Sequence, residues 1–288
     1  MSELRQSIFG VAVSGIGRLL LIRDRLLGWV PREPRESPSP EISRHTIASG
    51  GHRLDALLVV PEQARGSLLI CHGIGETVQH WLPVQQVLAE SGVASLVFDY
   101  VGYGRSAGWF STGQSERDAI AAFHFLEERT APLPVAVLGF SLGSGVAAAI
   151  VGRVPADRLV LCAAFTSLRK AAVSVGIPRM LEFVVPPVWD AEVGLRACGV
   201  AVLVVQGAKD RLFPVRMAEV LHGFCGAGAQ LVVVPNLSHN EPFRHPKAEY
   251  WGQIVARFVL GTFGTADGTC GAADAACAAG EPALPQER

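Results

Sequence analysis

Residues 135–150 read VAVLGFSLGSGVAAAI. The short β-branched run at 135–138 predicts a buried strand, and the small apolar residues 146–151 predict a helix. Between them "GFSLG" must turn sharply. Gly139 and Gly143, two residues either side of Ser141, allow close approach of neighbouring backbone, and the spacing is G-x-S-x-G. Taken alone, the pentapeptide leaves two readings open. Ser141 is a nucleophile on a strained elbow, or it is a serine in an ordinary strand-to-helix loop.

The chain has 288 residues, enough for one large α/β domain. Hydrophobic residues make up 49%, charged residues 18%, and the formal net charge is -1. That balance gives no electrostatic basis for binding nucleic acid, so the expected partner is small and neutral. Cys71 and Cys162 fall in apparent buried strands, Cys198 and Cys225 near element ends, and Cys270 and Cys277 in a loose tail. None of these spacings suggests a disulfide framework or a zinc site, so a reducing, cytoplasmic location is expected.

Residues 1–30 carry Ile8, Val11, Leu19, Ile22 and Leu26 at helical spacing with Arg5, Arg18, Arg23 and Arg25, which predicts an amphipathic helix. Arg18 leaves the apolar run shorter than the ~20 residues that span a bilayer, and no small-residue cleavage site is evident. Two roles stay open for it: peripheral association with a membrane, or packing on the domain. A proline-rich linker is expected at 31–42, a catalytic domain at 43–263 and a disordered tail at 264–288.

Within the domain, "SRHTIAS" and "HRLDALLVV" flank Gly50-Gly51 and predict an antiparallel hairpin. Six apolar strands follow, "SLLICHG", "SLVFDYVG", "VAVLGFS", "LVLCAAF", "VAVLVVQG" and "QLVVVPN". They alternate with helical stretches near 84–90, 116–128, 146–151, 215–224 and 248–260. Near-continuous apolar strands separated by helices predict a mainly parallel sheet covered on both faces. Residues 167–198, with prolines at 178, 186 and 187, are too short for a lid domain and predict a local flap. Its Met180, Leu181, Phe183 and Trp189 are candidates for one wall of a pocket, but a segment this short cannot enclose a long chain, so short or medium acyl groups are expected.

In such a sheet chemistry gathers at the carboxyl ends of the strands. Ser141 follows one strand, Asp210 the next but one, and His239 the last. A serine hydroxyl attacks well only when an imidazole accepts its proton and a carboxylate fixes that imidazole's tautomer. Those three residue types stand here in order at strand ends. Asp190, in the flap, is the alternative acid. An oxyanion would need two backbone N–H donors, and Leu142, after the serine, and Ile74, in "CHGIGE", are the candidates. "GYGRSA" at 102–107 formally fits a dinucleotide fingerprint, but a loop rather than a helix follows it.

"HGIGE", "FDYVGYGRSAG", "GFSLG", "GAKDRLFP" and "PNLSHNEPF" together resemble the serial motifs of the α/β-hydrolase fold, closest to its small-lid, serine-aminopeptidase-like and acyl-hydrolase members. The resemblance implies an α/β-hydrolase domain with esterase, thioesterase or lipase-like activity on an acyl substrate, without metal or organic cofactor. Amide or peptide hydrolysis, and a non-catalytic binding protein on the same fold, remain as alternatives.

Overall fold

The computed structural model describes residues 40–263 apart from Ala227. The expected N-terminal helix, most of the linker and the tail lie outside the described residues. Eight strands form one sheet: β1 (Glu41–Ser49), β2 (His52–Val60), β3 (Gly66–Cys71), β4 (Val93–Phe98), β5 (Val135–Phe140), β6 (Arg158–Cys162), β7 (Ala201–Gly207) and β8 (Gln230–Val234), in the order β1-β2-β4-β3-β5-β6-β7-β8. β1 begins inside the span expected for the linker. The pairs β1–β2 and β2–β4 are antiparallel and the rest parallel. This is the expected architecture, and the hairpin turns at Gly50 and Gly51, both at positive φ.

The strand sequences explain the layers. Side chains alternate faces along a strand, so Leu69 and Cys71 of β3 and Val135 and Val137 of β5 join one core, while Leu68, Ile70, Ala136, Leu138 and Phe140 join the other. Both faces are apolar because both are covered. Helices α2 (Thr112–Thr130), α3 (Leu142–Ile150), α5 (Ala191–Ala197) and α6 (Val215–Phe224) contribute to the first core. Helix α1 (Val78–Glu90) and the C-terminal helix contribute to the second, with Trp81 and Trp251 fully buried against each other. The short α4 (Leu168–Ser174) lies in the flap.

Two helices depart from expectation. α1 starts at Val78, one turn and a half before the expected residue 84, and carries Pro83 inside it. Its start is held by a capping box, in which the Thr77 N–H donates to His80 Nδ1 at 3.0 Å, and by Asp99, whose Oδ1 accepts the Val78 N–H at 2.9 Å. The C-terminal helix winds as a π-helix over Glu249–Ala256 before an α-helical end at Arg257–Val259. No helix among the described residues is long and apolar enough to cross a membrane.

The strand order positions the site. The chain runs from β3 to β4 on one side, then crosses to β5 on the other, so the carboxyl ends of β3 and β5 flank the switch point where open α/β sheets bind ligands.

Candidate active site

Ser141 sits between β5 and α3 with φ 51 and ψ -119, a left-handed conformation that costs a non-glycine residue about 1–3 kcal/mol. The fold holds it there by several bonds. The Ser141 N–H donates to the Cys162 carbonyl at 3.0 Å, and Ser144 returns its N–H and its hydroxyl to the Ser141 carbonyl at 2.9 and 2.7 Å. The flanking glycines are required by contact. A Cβ on Gly143 would overlap the Cys71 carbonyl oxygen, and one on Gly139 would lie 2.5 Å from Ser144 Cα.

Three expected residues meet. The Ser141 hydroxyl is 2.9 Å from His239 Nε2, and His239 Nδ1 is 2.7 Å from Asp210 Oδ2. Phe140 and Phe213 hold the imidazole, with ring centroids at 5.8 and 5.2 Å. The loops bearing the acid and the imidazole are tied together, because Lys209 donates its N–H to the Leu237 carbonyl at 2.9 Å. Asp210 Oδ1 accepts the N–H groups of Leu212 and Phe213, both at 2.8 Å, and Oδ2 accepts the Gln206 amide at 2.9 Å. Burial alone would raise the Asp210 carboxyl, but the hydrogen bond and charge of His239 and the Phe213 and Leu212 N–H groups outweigh it and leave it below the usual carboxylate range. The carboxylate is therefore charged near neutrality and orients Nδ1–H, which leaves Nε2 to accept the serine proton. The alternative acid, Asp190, is elsewhere: it is exposed and caps α5 through the Glu192 N–H at 3.1 Å.

Leu142 opens α3 and Ile74 follows β3. Neither N–H donates to a loop or cap carbonyl among the described residues, and the close fit of Gly143 on the Cys71 and His72 carbonyls brings the two segments side by side. The donor loop is itself braced. Glu76 accepts the Gly73 N–H at 2.7 Å and the Trp81 indole N–H at 2.9 Å, and the Tyr100 hydroxyl donates to the His72 carbonyl at 3.2 Å.

The expected pocket wall is corrected. Trp189 is buried in the core, 5% exposed, its indole N–H on Glu116 at 3.1 Å and its ring against Gly145 and Phe110. Met180, Leu181 and Phe183 lie on the outside of the flap, at 79%, 44% and 58% exposure. The turn that carries them is six residues long and has no buried member. The cavity of about 740 Å³ lined by Pro61, Arg65, Gln86 and Glu90 sits beside the amino ends of β3 and β4, away from Ser141. Among the described residues no cluster of His, Cys, Asp and Glu could hold a metal ion.

Sequence reasoning missed the support beneath the donor loop. Asp99 is 1% exposed and accepts N–H groups from Val78 and Arg105 at 2.9 and 3.1 Å, and its Oδ1 is 4.0 Å from His72 Nε2. "FDYVGYGRS" contained the signal: a Cβ on Gly104, at φ 46, would overlap the Asp99 carboxylate. Of the two glycines that imitate a dinucleotide fingerprint, Gly104 serves this close approach, while Gly102 lets the loop fold against the backbone of Phe110. Burial raises the Asp99 carboxyl to about 7 and lowers His72 to about 4. Because the folded Asp99 holds its proton more tightly than the unfolded chain, its contribution to stability is full below the ordinary carboxylate value and fades as pH rises through about 7. Asp99→Asn, which cannot ionise, should therefore be more destabilising at pH ~4 than at pH ~8, by up to about 4 kcal/mol. Denaturant melts at the two pH values check this, and an equal loss at both would contradict it.

Comparison with known proteins comes to the same architecture. A family model described as serine aminopeptidase, S33, matches residues 62–190, a span that includes Ile74 and Ser141 and ends before Asp210. An uncharacterized protein of Mycobacterium tuberculosis is 30% identical over 188 residues, covering 63% of this chain and 66% of its own length. Lysophosphatidylserine lipase ABHD12 of Danio rerio is 34% identical over 114 residues, covering 37% of this chain and 30% of the lipase. The matched part is thus just under two thirds of the mycobacterial relative and under one third of the lipase. Among solved structures, an esterase of Pyrococcus furiosus superposes with a TM-score of 0.63 at 20% identity, covering 79% of this chain and 97% of the esterase.

Proposed function

We propose that this chain, which has the α/β-hydrolase fold, is a serine hydrolase cleaving a carboxylic ester or thioester through an acyl-Ser141 intermediate. The observation that carries the reading is the continuous line from Asp210 Oδ2 through His239 to the Ser141 hydroxyl, at 2.7 and 2.9 Å. In the first half, Ser141 Oγ attacks the substrate carbonyl carbon as its proton passes to His239 Nε2. The negative charge that develops on the carbonyl oxygen is met by the N–H groups of Ile74 and Leu142, aided by the positive end of α3. The intermediate collapses, and the leaving alcohol or thiol takes the proton from His239. In the second half water attacks the acyl group, His239 takes the water's proton and returns it to Ser141 Oγ, and the acid departs. Asp210 stays charged throughout and holds the imidazole in place.

Peptide cleavage at an amino terminus needs a carboxylate to hold the substrate ammonium. The buried carboxylate nearest in sequence to Ile74, Glu76, is bound to Gly73 and Trp81, which favours esters and thioesters. Parallel assays of p-nitrophenyl esters, acyl thioesters and amino-acid p-nitroanilides test the reading. Turnover of the first two is expected. Faster turnover of the anilides would establish an amide hydrolase instead, and turnover of none would establish a binding protein on this fold.

A further inference from the structure

The peptide that carries the Ile74 N–H is held from its other end. A trans peptide points its C=O and N–H in opposite directions, so whatever fixes the Gly73 carbonyl also aims the Ile74 N–H. His72 fixes it, with Nδ1 2.8 Å from the Gly73 carbonyl oxygen. A carbonyl only accepts, so Nδ1 carries the proton, and the imidazole, which burial keeps neutral, presents a bare lone pair at Nε2. That nitrogen is buried and has no hydrogen-bond partner among the described residues. It faces Asp99 Oδ1 at 4.0 Å. Two acceptors are thus set against each other in an enclosed site, and only a proton between them relieves the arrangement. Neither side chain is free to turn away. The rings of Tyr100 and Tyr103 pack on the imidazole, with centroids at 4.5 and 5.4 Å, and the N–H groups of Val78 and Arg105 hold the two Asp99 oxygens.

We propose that Asp99 and His72 are positioning residues that form a proton switch beneath the Ile74 donor, which is set when Asp99 is protonated and released when Asp99 is charged. A protonated Asp99 offers its O–H to His72 Nε2 and so selects the tautomer with hydrogen on Nδ1, the one that holds Gly73. A charged Asp99 selects Nε2–H instead. Nδ1 then turns a lone pair on the Gly73 carbonyl, and the Gly73–Ile74 peptide is pushed out of the donating orientation. In the change the Asp99 carboxyl gives one proton to solvent, while the ring gives up a proton at Nδ1 and takes one at Nε2. The neighbouring groups leave the titration to Asp99. Asp55 of β2 repels its charge, and Arg44 of β1, paired with Asp55 at 3.0 Å, offsets that. Arg105 meets it through its backbone N–H. His80 of α1 opposes a positive charge on His72, Glu76 accepts the Gly73 N–H, and burial pushes the Tyr100 and Tyr103 hydroxyls up so that they stay neutral. With the Asp99 carboxyl raised to about 7 by burial, the switch works near neutrality. Its effect on turnover rests on the proposed hydrolase reading; the movement of the proton does not.

The test reads the proton and the turnover separately, on the full chain. NMR of protein carrying nitrogen-labelled histidine distinguishes a bare ring nitrogen from an N–H, and the His72 ring is assigned through its bonds to its own Cβ. Nδ1–H is expected at pH ~6 and Nε2–H at pH ~9, with the midpoint at about 7. Asp99→Asn, which cannot ionise, should keep one tautomer throughout. An unchanged His72 in wild type, or a tautomer change that persists in Asp99→Asn, would overturn the proposal. With p-nitrophenyl acetate, wild-type kcat is expected to fall as pH rises through about 7, towards a floor about 10²-fold lower, the effect of losing one oxyanion donor. KM should change little. His239 acting alone would give only a rise to a plateau. Asp99→Asn should lose the fall, when compared at a temperature where it is folded. If that variant does not fold, His72→Gln takes its place: its amide can donate to the Gly73 carbonyl and has no tautomers, so its kcat should not fall either. A fall that persists in the variant, or a wild-type plateau without one, would overturn the link from His72 to Ile74. A tautomer change in a chain that hydrolyses no ester at any pH would support the switch and overturn the hydrolase reading.

Discussion

Replacing Ser141 by alanine is expected to lower ester turnover by about 10⁶-fold while leaving the fold intact. The hydroxyl is the attacking group, and nothing else among the contacts of His239 Nε2 offers one. The fold should tolerate the change because the elbow is held by backbone groups, the Ser141 N–H on Cys162 and the Ser141 carbonyl on Ser144, which alanine keeps. Alanine meets the positive φ with the same Cβ as serine. The imidazole left behind is partly open to water, at 13% exposure, so its nitrogen is not stranded. Activity against p-nitrophenyl acetate and a thermal melt check both halves. A variant that keeps substantial turnover would remove Ser141 from the chemistry.

Asp210→Asn should cost about 10⁴ in kcat. The asparagine oxygen can keep the bonds from Leu212 and Phe213, but its amide then faces both His239 Nδ1 and the Gln206 amide, which now donate to Oδ2. A donor placed against Nδ1 selects the tautomer with the proton on Nε2, and that nitrogen can no longer accept from Ser141. The mismatch with Gln206 adds about 1–3 kcal/mol of instability, so kcat must be compared at a temperature where the variant is folded. Asp190→Asn is the control and should turn over as wild type does, since Asp190 only caps α5. If instead Asp190→Asn were impaired and Asp210→Asn active, the acid would have been assigned to the wrong residue.

What could be read from the sequence differs by kind of information. The strands were legible because a sheet covered on both faces needs near-continuous apolar runs, and α6 was legible because its apolar residues repeat without interruption between Pro214 and Cys225. The meeting of Ser141, Asp210 and His239 was legible because each follows a strand and parallel strands put their carboxyl ends together. The start of α1 was missed, because Pro83 looks like a boundary, the local box there uses His80 in place of the usual Glu or Gln, and the other group that holds the start, Asp99, is 21 residues away. The π winding at Glu249–Ala256 leaves the composition of a helix unchanged and so carries no local signal. The role of the flap's outward face is not legible for a related reason. A run of apolar residues shows that surface must be covered, but not whether by the domain's own core or by something outside it.

The central claim is that Ser141 is the activated nucleophile. The most direct test is to react the folded full chain with a fluorophosphonate, which phosphonylates activated serines with loss of fluoride, and to map the adduct by peptide mass spectrometry. The account predicts one adduct, on the peptide bearing Ser141, formed in wild type and absent from Ser141→Ala and strongly slowed in Asp210→Asn. An adduct on another residue, or an unreactive wild type that still hydrolyses esters, would contradict it.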